Sequence, residues 1–243
     1  TAADGSFNPD AAAVVMGVTP ADDGHILAMV GGRDFFGADD DAKFNLASGS
    51  GRQAGSSMKP IGLAVALQLG IPITRFYDAT SPIEITNPPV CGPTWKVRGG
   101  AEGDRTLADA TKWSQNTIYA QLMVDIGPAR FVQMAEDLGI GEGRVQPVCS
   151  AILGTENVNM VEMATVYSTF ARDGVRVDPV MVTRILNAEG TQLFESTPEP
   201  ATVLNKTVND QLTWALSTVM SGTGWRANLP DYPDAGKTGT AQN

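Results

Sequence analysis

The chain has 243 residues, 42% hydrophobic and 18% charged, a composition that suits one large globular domain or two small ones and excludes collagenous, coiled-coil and disordered classes. Its formal net charge is -10 and its lysines and arginines are scattered, so there is no electrostatic footprint for a nucleic-acid backbone and no nucleic acid is expected as a partner. One histidine, His25, sits in the polar turn "PADDGHI" and reads as a surface residue; a Ser-His-Asp triad or a multi-histidine metal centre would have to use it.

Near the start, "AAVVMGV" and "HILAMVGG" are short apolar runs separated by "TPADDG", the pattern of two antiparallel strands joined by a turn. After a polar loop, the apolar run that follows "QAGSSMKP" predicts a helix from about Ser56 to Leu69, stopped by "GIP". The segment Thr74 to Gly103 is rich in Pro, Gly and Thr without a clear period and reads as a long wrapped loop. "RTLADATKW" opens a helical stretch with Thr106 and Asp109 at capping-box spacing. "PARFVQMAEDLGI" and "MVEMATVYSTFARDG" are further amphipathic helices, stopped at Gly139 and Gly174. "VMVTRILNAEGTQLFES" predicts a hairpin turning at Glu189 and Gly190, and "VNDQLTWALSTVMSGTG" a last helix before a strand at "AGKTGTAQN". The order predicts an α/β (α+β) mixture, with helices grouped against an antiparallel sheet.

No stretch reaches the roughly 18 apolar residues of a membrane span, and "TAADGSFNPD" lacks the regions of a signal peptide, so the chain is either cytosolic or an excised extracytoplasmic part. The two cysteines, Cys91 and Cys149, are too few for a structural zinc site; they could pair in an oxidising compartment or be unrelated thiols.

Two glycine-rich stretches imitate nucleotide motifs. In "GSGRQAG" the last glycine falls one residue late for a dinucleotide fingerprint, and "AGKTGT" has Asp231 where a phosphate loop needs its first glycine. The serines near Lys59 are more informative. Residues three or four apart share a helix face, so Lys59 can meet Ser56 and not Ser57. Two readings are open for Ser56: a helix cap with a solvated lysine beside it, or a nucleophile with Lys59 as its base. A base must be neutral part of the time, and the positive end of a helix, burial and a second cation all disfavour an ammonium. Gly55 before it gives an exposed, tight entry, and Pro60 suits the first helical turn.

Alone, Ser-x-x-Lys is a weak signal, but "KWSQNT" supplies Ser114 and Asn116, and "DAGKTGT" supplies Lys237, Thr238, Gly239 and Thr240. In this order the three elements match the active-serine set of penicillin-binding proteins and serine β-lactamases. Together with "FNLASGSGRQAGSSMKP", "TLADATKWSQNT" and "AILGTENVNMVEMATVYSTFARDGVRVDP", they make nearly the whole chain resemble the transpeptidase domain of class A, bifunctional penicillin-binding proteins. Ala54 and Met58 stand where that family often has proline and phenylalanine; a second Ser-x-Asn, Ser6 to Asn8, falls outside the family order and is read as chance.

The resemblance implies roles. Ser56 is the nucleophile and Lys59 its base; Ser114 relays a proton to the leaving amine, and Lys237 helps keep Lys59 deprotonated. Asn116 holds the substrate's amide, Thr238 and Thr240 face its terminal carboxylate, and Gly239 lets the acyl chain lie along the strand edge. The backbone N–H groups of Ser56 and Thr240 form the oxyanion hole. Because residues two apart cannot both face one cleft from a helix, "WSQNT" should be a turn between helices. The reaction implied is D,D-transpeptidation of peptidoglycan stem peptides, with lipid-linked precursor and β-lactams as further partners, and no cofactor or metal. Alternatives are a D,D-carboxypeptidase, a β-lactamase, or a non-turnover β-lactam sensor or inactive fragment; against a class A β-lactamase, no glutamate here has asparagine four positions later. The resemblance also implies a single transpeptidase domain over residues 1–243, lacking C-terminal strands and a helix, either because a second polypeptide piece supplies them or because the chain is truncated. An upstream glycosyltransferase domain and membrane anchor would hold it on the extracytoplasmic side of a bacterial cell membrane.

Overall fold

The run after Gly55 folds into a core. Gly55–Met58 is a short 3-10 turn that leads into α1 (Lys59–Gln68), and every residue of α1 from Lys59 to Leu67 is buried. A helix that is apolar on all faces is an interior helix; Lys59 is the exception to its chemistry and not to its burial. The structure is a computed structural model and describes residues 12–19, 23–32, 34–37, 43–86 and 91–240. Ser6 to Asn8 lies outside the described residues.

The remaining helices are α2 (Leu107–Lys112), α3 (Asn116–Ile126), α4 (Pro128–Asp137), α5 (Met160–Ala171) and α6 (Lys206–Val219). Contacts divide the chain into two compact units, one of Thr1–Arg52, Leu138–Ile140 and Val158–Val203, the other of Gln53–Asp137, Gly141–Asn157 and Leu204–Asn243. The expectation of mixed helices and antiparallel strands holds, and the described strands pair two by two.

In the first unit, Ala13–Met16 pairs antiparallel with Ile26–Val30, as the alternation of the two apolar runs predicts, and α5 packs against Ala13–Met16. α5 starts on a capping box in which Asn159 Oδ1 accepts from the Glu162 N–H and the Glu162 carboxylate accepts from the Asn159 N–H. The hairpin Arg184–Leu186 with Gln192–Glu195 forms where the sequence placed it, around Gly190 at φ 84°. His25 is half-buried, and its backbone bridges Val180, so it is part of the strand framework and not a free surface residue.

In the second unit, α1 packs against α3, α4 and α6, and α2 against α3 and α6. Two expectations change here. The stretch Thr74 to Gly103 is not one wrapped loop: Phe76–Asp78 pairs with Asp104–Thr106, and Ile83–Thr86 with Thr94–Val97. Strands of three or four residues between Pro and Gly turns leave too short an alternation to register as a period. The "AGKTGT" segment is not a strand; residues 235–240 join no sheet among the described residues, and Gly236 N–H donates to Leu216 O of α6 instead. Among the described residues no helix is long and apolar enough to cross a membrane.

Cys91 and Cys149 form a disulfide, with Cα atoms 5.3 Å apart, tying the Ile83–Thr86/Thr94–Val97 hairpin to the 3-10 turn Cys149–Leu153. Closing a loop across 58 positions restricts the unfolded chain. Replacing both cysteines with serine is expected to cost about 2–4 kcal/mol in urea unfolding; equal midpoints for the disulfide and Cys91→Ser/Cys149→Ser forms would contradict this coupling.

Candidate active site

All the residues that the three sequence motifs single out lie in the second unit. The 3-10 turn at Gly55–Met58 settles which serine faces Lys59. Side chains at i and i+3 eclipse in a 3-10 helix, and the Lys59 N–H donates to Ser56 O, so Ser56 and Lys59 share one side. The Ser57 hydroxyl donates to Ala54 O at 2.7 Å and is turned away. Ser56 is partly exposed, and among the described residues no hydrogen bond of its hydroxyl is found. Gly55 is buried, contrary to the exposed entry expected from sequence, because the Thr240 backbone lies over it. A Cβ on Gly55 would stand 2.2 Å from Thr240 O and 2.9 Å from Thr240 N, and its φ is +57°, so glycine is required twice over.

The second motif is a turn, as the two-residue spacing demands. α2 ends at Lys112, α3 begins at Asn116, and Ser114 sits between them at φ 57°, a left-handed conformation unusual for a non-glycine residue. Such conformations are costly and collect at functional sites. The turn is pinned by Gln115 N–H to Ala110 O at 2.9 Å and Asn116 N–H to Gly99 O at 2.6 Å. Thr106 caps α2 by accepting from the Asp109 N–H, while its hydroxyl donates to the Asp109 carboxylate, a variant of the expected capping box.

Lys59 is fully buried, and its Nζ donates to Ser114 O at 2.6 Å, to Asn116 Oδ1 at 2.7 Å and to Ser114 Oγ at 3.3 Å. Lys237 Nζ donates to the same Ser114 Oγ at 2.8 Å and to Thr238 O at 2.9 Å. Burial, with the charge of Lys237 adding to it, lowers the Lys59 pKa to about 6; burial lowers Lys237 to about 8. The Tyr119 ring, 5.2 Å from Lys59 Nζ, favours the cation, but desolvation prevails.

These values set the proton inventory near neutral pH. A neutral Lys59 has two protons and one lone pair; the two short contacts take the protons, which leaves the lone pair as an acceptor and the longer contact to Ser114 Oγ without a Lys59 proton. Lys237 remains largely an ammonium and donates to that oxygen. Ser114 Oγ thus lies between one amine that is largely neutral and one that is largely charged. The structure brings together Lys59, Ser114, Asn116, Lys237 and Thr238 by hydrogen bonds, and Ser56 with Thr240 through Gly55. Gly239 approaches Ala54 O from the other side of the turn, 2.6 Å from where its Cβ would be. Thr238 differs from expectation: its hydroxyl donates to Thr223 Oγ1 at 3.0 Å and not toward the cleft. Sequence reasoning missed Thr223, whose one signal is its place between two glycines in "SGTG", and Gly154, whose carbonyl accepts the Gly55 N–H at 3.1 Å.

A serine beside a buried lysine, with a second serine hydrogen-bonded to that lysine, is an arrangement found in proteins that transfer acyl groups without histidine. The family model of the penicillin binding protein transpeptidase domain matches residues 12–243, and the chain belongs to that family. It is 31% identical over 252 residues to penicillin-binding protein 1A of Mycolicibacterium smegmatis, covering 97% of this chain and 30% of that protein. Among solved structures it resembles the D,D-transpeptidase domain of a peptidoglycan glycosyltransferase from Eggerthella lenta, with TM-score 0.81, 28% identity, and coverage of 96% of this chain and 66% of that one. It also resembles the PonA1 protein of Mycobacterium tuberculosis in complex with penicillin V, with TM-score 0.78, 28% identity, and coverage of 97% and 63%. The chain therefore spans about 30% of the length of its curated relatives.

The lowered pKa of Lys59 has a stability consequence with a definite sign. Between about 6 and the ordinary lysine value of 10.5 the unfolded chain binds the proton and the folded chain does not, so Lys59 makes stability rise with pH. Lys237 adds to that slope only as the pH approaches about 8 and above. From pH 6 to pH 8 the unfolding free energy of the native chain should rise, relative to Lys59→Met, by up to about 1.4 kcal/mol per pH unit. Parallel urea-denaturation curves across that range would contradict a neutral Lys59.

Proposed function

We propose that this chain is a D,D-transpeptidase domain that cross-links peptidoglycan stem peptides through an acyl-enzyme on Ser56. The observation that carries the reading is the sharing of Ser114 Oγ by two lysines of unequal proton affinity, Lys59 and Lys237. Neutral Lys59 takes the Ser56 proton as Oγ attacks the carbonyl of the penultimate D-alanine. The backbone N–H groups of Ser56 and Thr240 hold the developing oxyanion, a role supported by the passage of Thr240 over Gly55. Ser114 then delivers a proton to the departing D-alanine amine and is reprotonated from Lys59. An amine of a neighbouring stem attacks the ester and completes the transfer; water in its place would give the carboxypeptidase outcome.

Asn116 orients the substrate amide, Lys237 and Thr240 face its terminal carboxylate, and Gly239 leaves room for the acyl chain. Thr238 can join them only by giving up its bond to Thr223. β-Lactams acylate the same serine, a reading supported by the penicillin V complex of PonA1. The Cys91–Cys149 disulfide supports a working place outside the cytoplasm, on the outer side of the bacterial membrane where peptidoglycan is built.

Fluorescent penicillin should label the chain at Ser56, and the label should be lost in Ser56→Ala and reduced at least about a hundredfold in Lys59→Met, the ordinary scale of a lost general base. The second-order rate should rise with pH through about 6, as Lys59 loses its proton, and fall through about 8, as Lys237 loses its charge. Labelling on Ser57, or a Ser56→Ala variant that labels normally, would end the assignment.

A further inference from the structure

We propose that Thr223 is a positioning residue for acyl transfer: anchored on the carbonyl of Lys112, it fixes the donor direction of the chain Thr223–Thr238–Lys237–Ser114 and so holds Lys237 against the Ser114 hydroxyl. The inference rests on the function proposed above.

Thr223 lies in the "SGTG" turn after α6, and its N–H and its Oγ1 each reach Lys112 O at 3.3 Å. Gly222 permits that approach, since a Cβ there would stand 2.6 Å from the same oxygen. A carbonyl can only accept, so the Thr223 hydroxyl proton is committed to Lys112. Only lone pairs then remain for Thr238, whose Oγ1 donates to Thr223 at 3.0 Å. The Thr238 hydroxyl in turn has only lone pairs to offer Lys237 Nζ at 3.4 Å, and Lys237 must act as donor there and at Ser114 Oγ, 2.8 Å away. Each hydroxyl sends its proton away from Lys237, an arrangement that stabilises the ammonium and opposes the burial that would neutralise it.

The anchor also couples two motifs that are remote in sequence. Lys112 O belongs to the last turn of α2, two residues before Ser114, and Thr238 belongs to the third motif, so Thr223 bridges the elements whose side chains must meet at Ser114. The titratable group facing Lys237 across Ser114 is Lys59, with the Tyr119 ring beneath Lys59; the Lys112 ammonium lies over the Trp113 ring, at 5.5 Å.

The test compares Thr223→Val, which removes the hydroxyl and keeps the shape, with Thr223→Ser, which keeps the hydroxyl. Acylation of Ser56 by fluorescent penicillin is followed from about pH 5 to about pH 10, with thermal melting alongside. Thr223→Val is expected to acylate about tenfold more slowly, with its alkaline limb moved to lower pH because the Lys237 ammonium has lost support; Thr223→Ser should match the native rate and limb. A Thr223→Val variant with native rate and limb overturns the proposal, and so does a Thr223→Ser variant as slow as Thr223→Val, which would assign the effect to methyl packing. Should Thr223→Val fail to fold, Thr223→Ala is read against Thr223→Ser by the same criteria. A native chain that is not labelled at Ser56 overturns the function itself, and that outcome is seen before any Thr223 variant enters.

Discussion

A lysine with no exposed surface, held beside a second lysine, is the constraint on which the site depends. Keeping Lys59 neutral in the folded chain at pH 7 costs on the order of 5 kcal/mol, at 1.36 kcal/mol for each pH unit between 7 and the ordinary lysine value of 10.5. That cost is comparable to the whole stability of many domains. It is offset locally by α1, where Ile61 and Leu63 are fully buried and Leu67 nearly so; side chains of this kind contribute roughly 1.5–3 kcal/mol each. The helix that carries Lys59 is therefore the same helix whose apolar side chains are buried in the core of the second unit.

From that constraint the other features follow. A buried Lys59 needs acceptors for its protons, and the backbone of Ser114 and the amide of Asn116 provide them across a turn between α2 and α3 that takes a left-handed residue. The second lysine must stay charged close to the first, which requires donors pointing away from it, and Thr238 supplies such an acceptor. The Thr240 backbone must come within reach of Ser56, which requires that residue 55 have no side chain. Each requirement falls on a different segment, and the hydrogen bonds among Gly154, Gly55, Lys112 and Thr223 bind those segments to one another.

The local parts of this arrangement were legible in the sequence and the long-range parts were not. Ser56 and Lys59 could be paired from spacing alone, since a helical face is a property of four consecutive residues. The turn at Ser114 followed from two residues that could not otherwise share a cleft. Meeting of the three motifs came from resemblance and not from any pattern within the chain. The pairing of Cys91 with Cys149 stayed open because connectivity depends on a fold that brings distant positions together. The strands between Thr74 and Gly103 were too short to show alternation, and residues 235–240 took an extended path that hydrogen-bonds to α6 and not to a sheet. The one signal of Thr223, its place between two glycines, reads as a plain turn until its carbonyl partner is in view.

The most direct test of the account is the titration of Lys59 itself, followed by nitrogen NMR of chain labelled at the lysine side-chain nitrogens, with Lys59→Met to assign the resonance. The account predicts a neutral amine that takes up its proton at about pH 6, and a higher midpoint in Lys237→Met, where the neighbouring charge is gone. A Lys59 that titrates near the ordinary lysine value, or a midpoint that does not move when Lys237 is replaced, would contradict it.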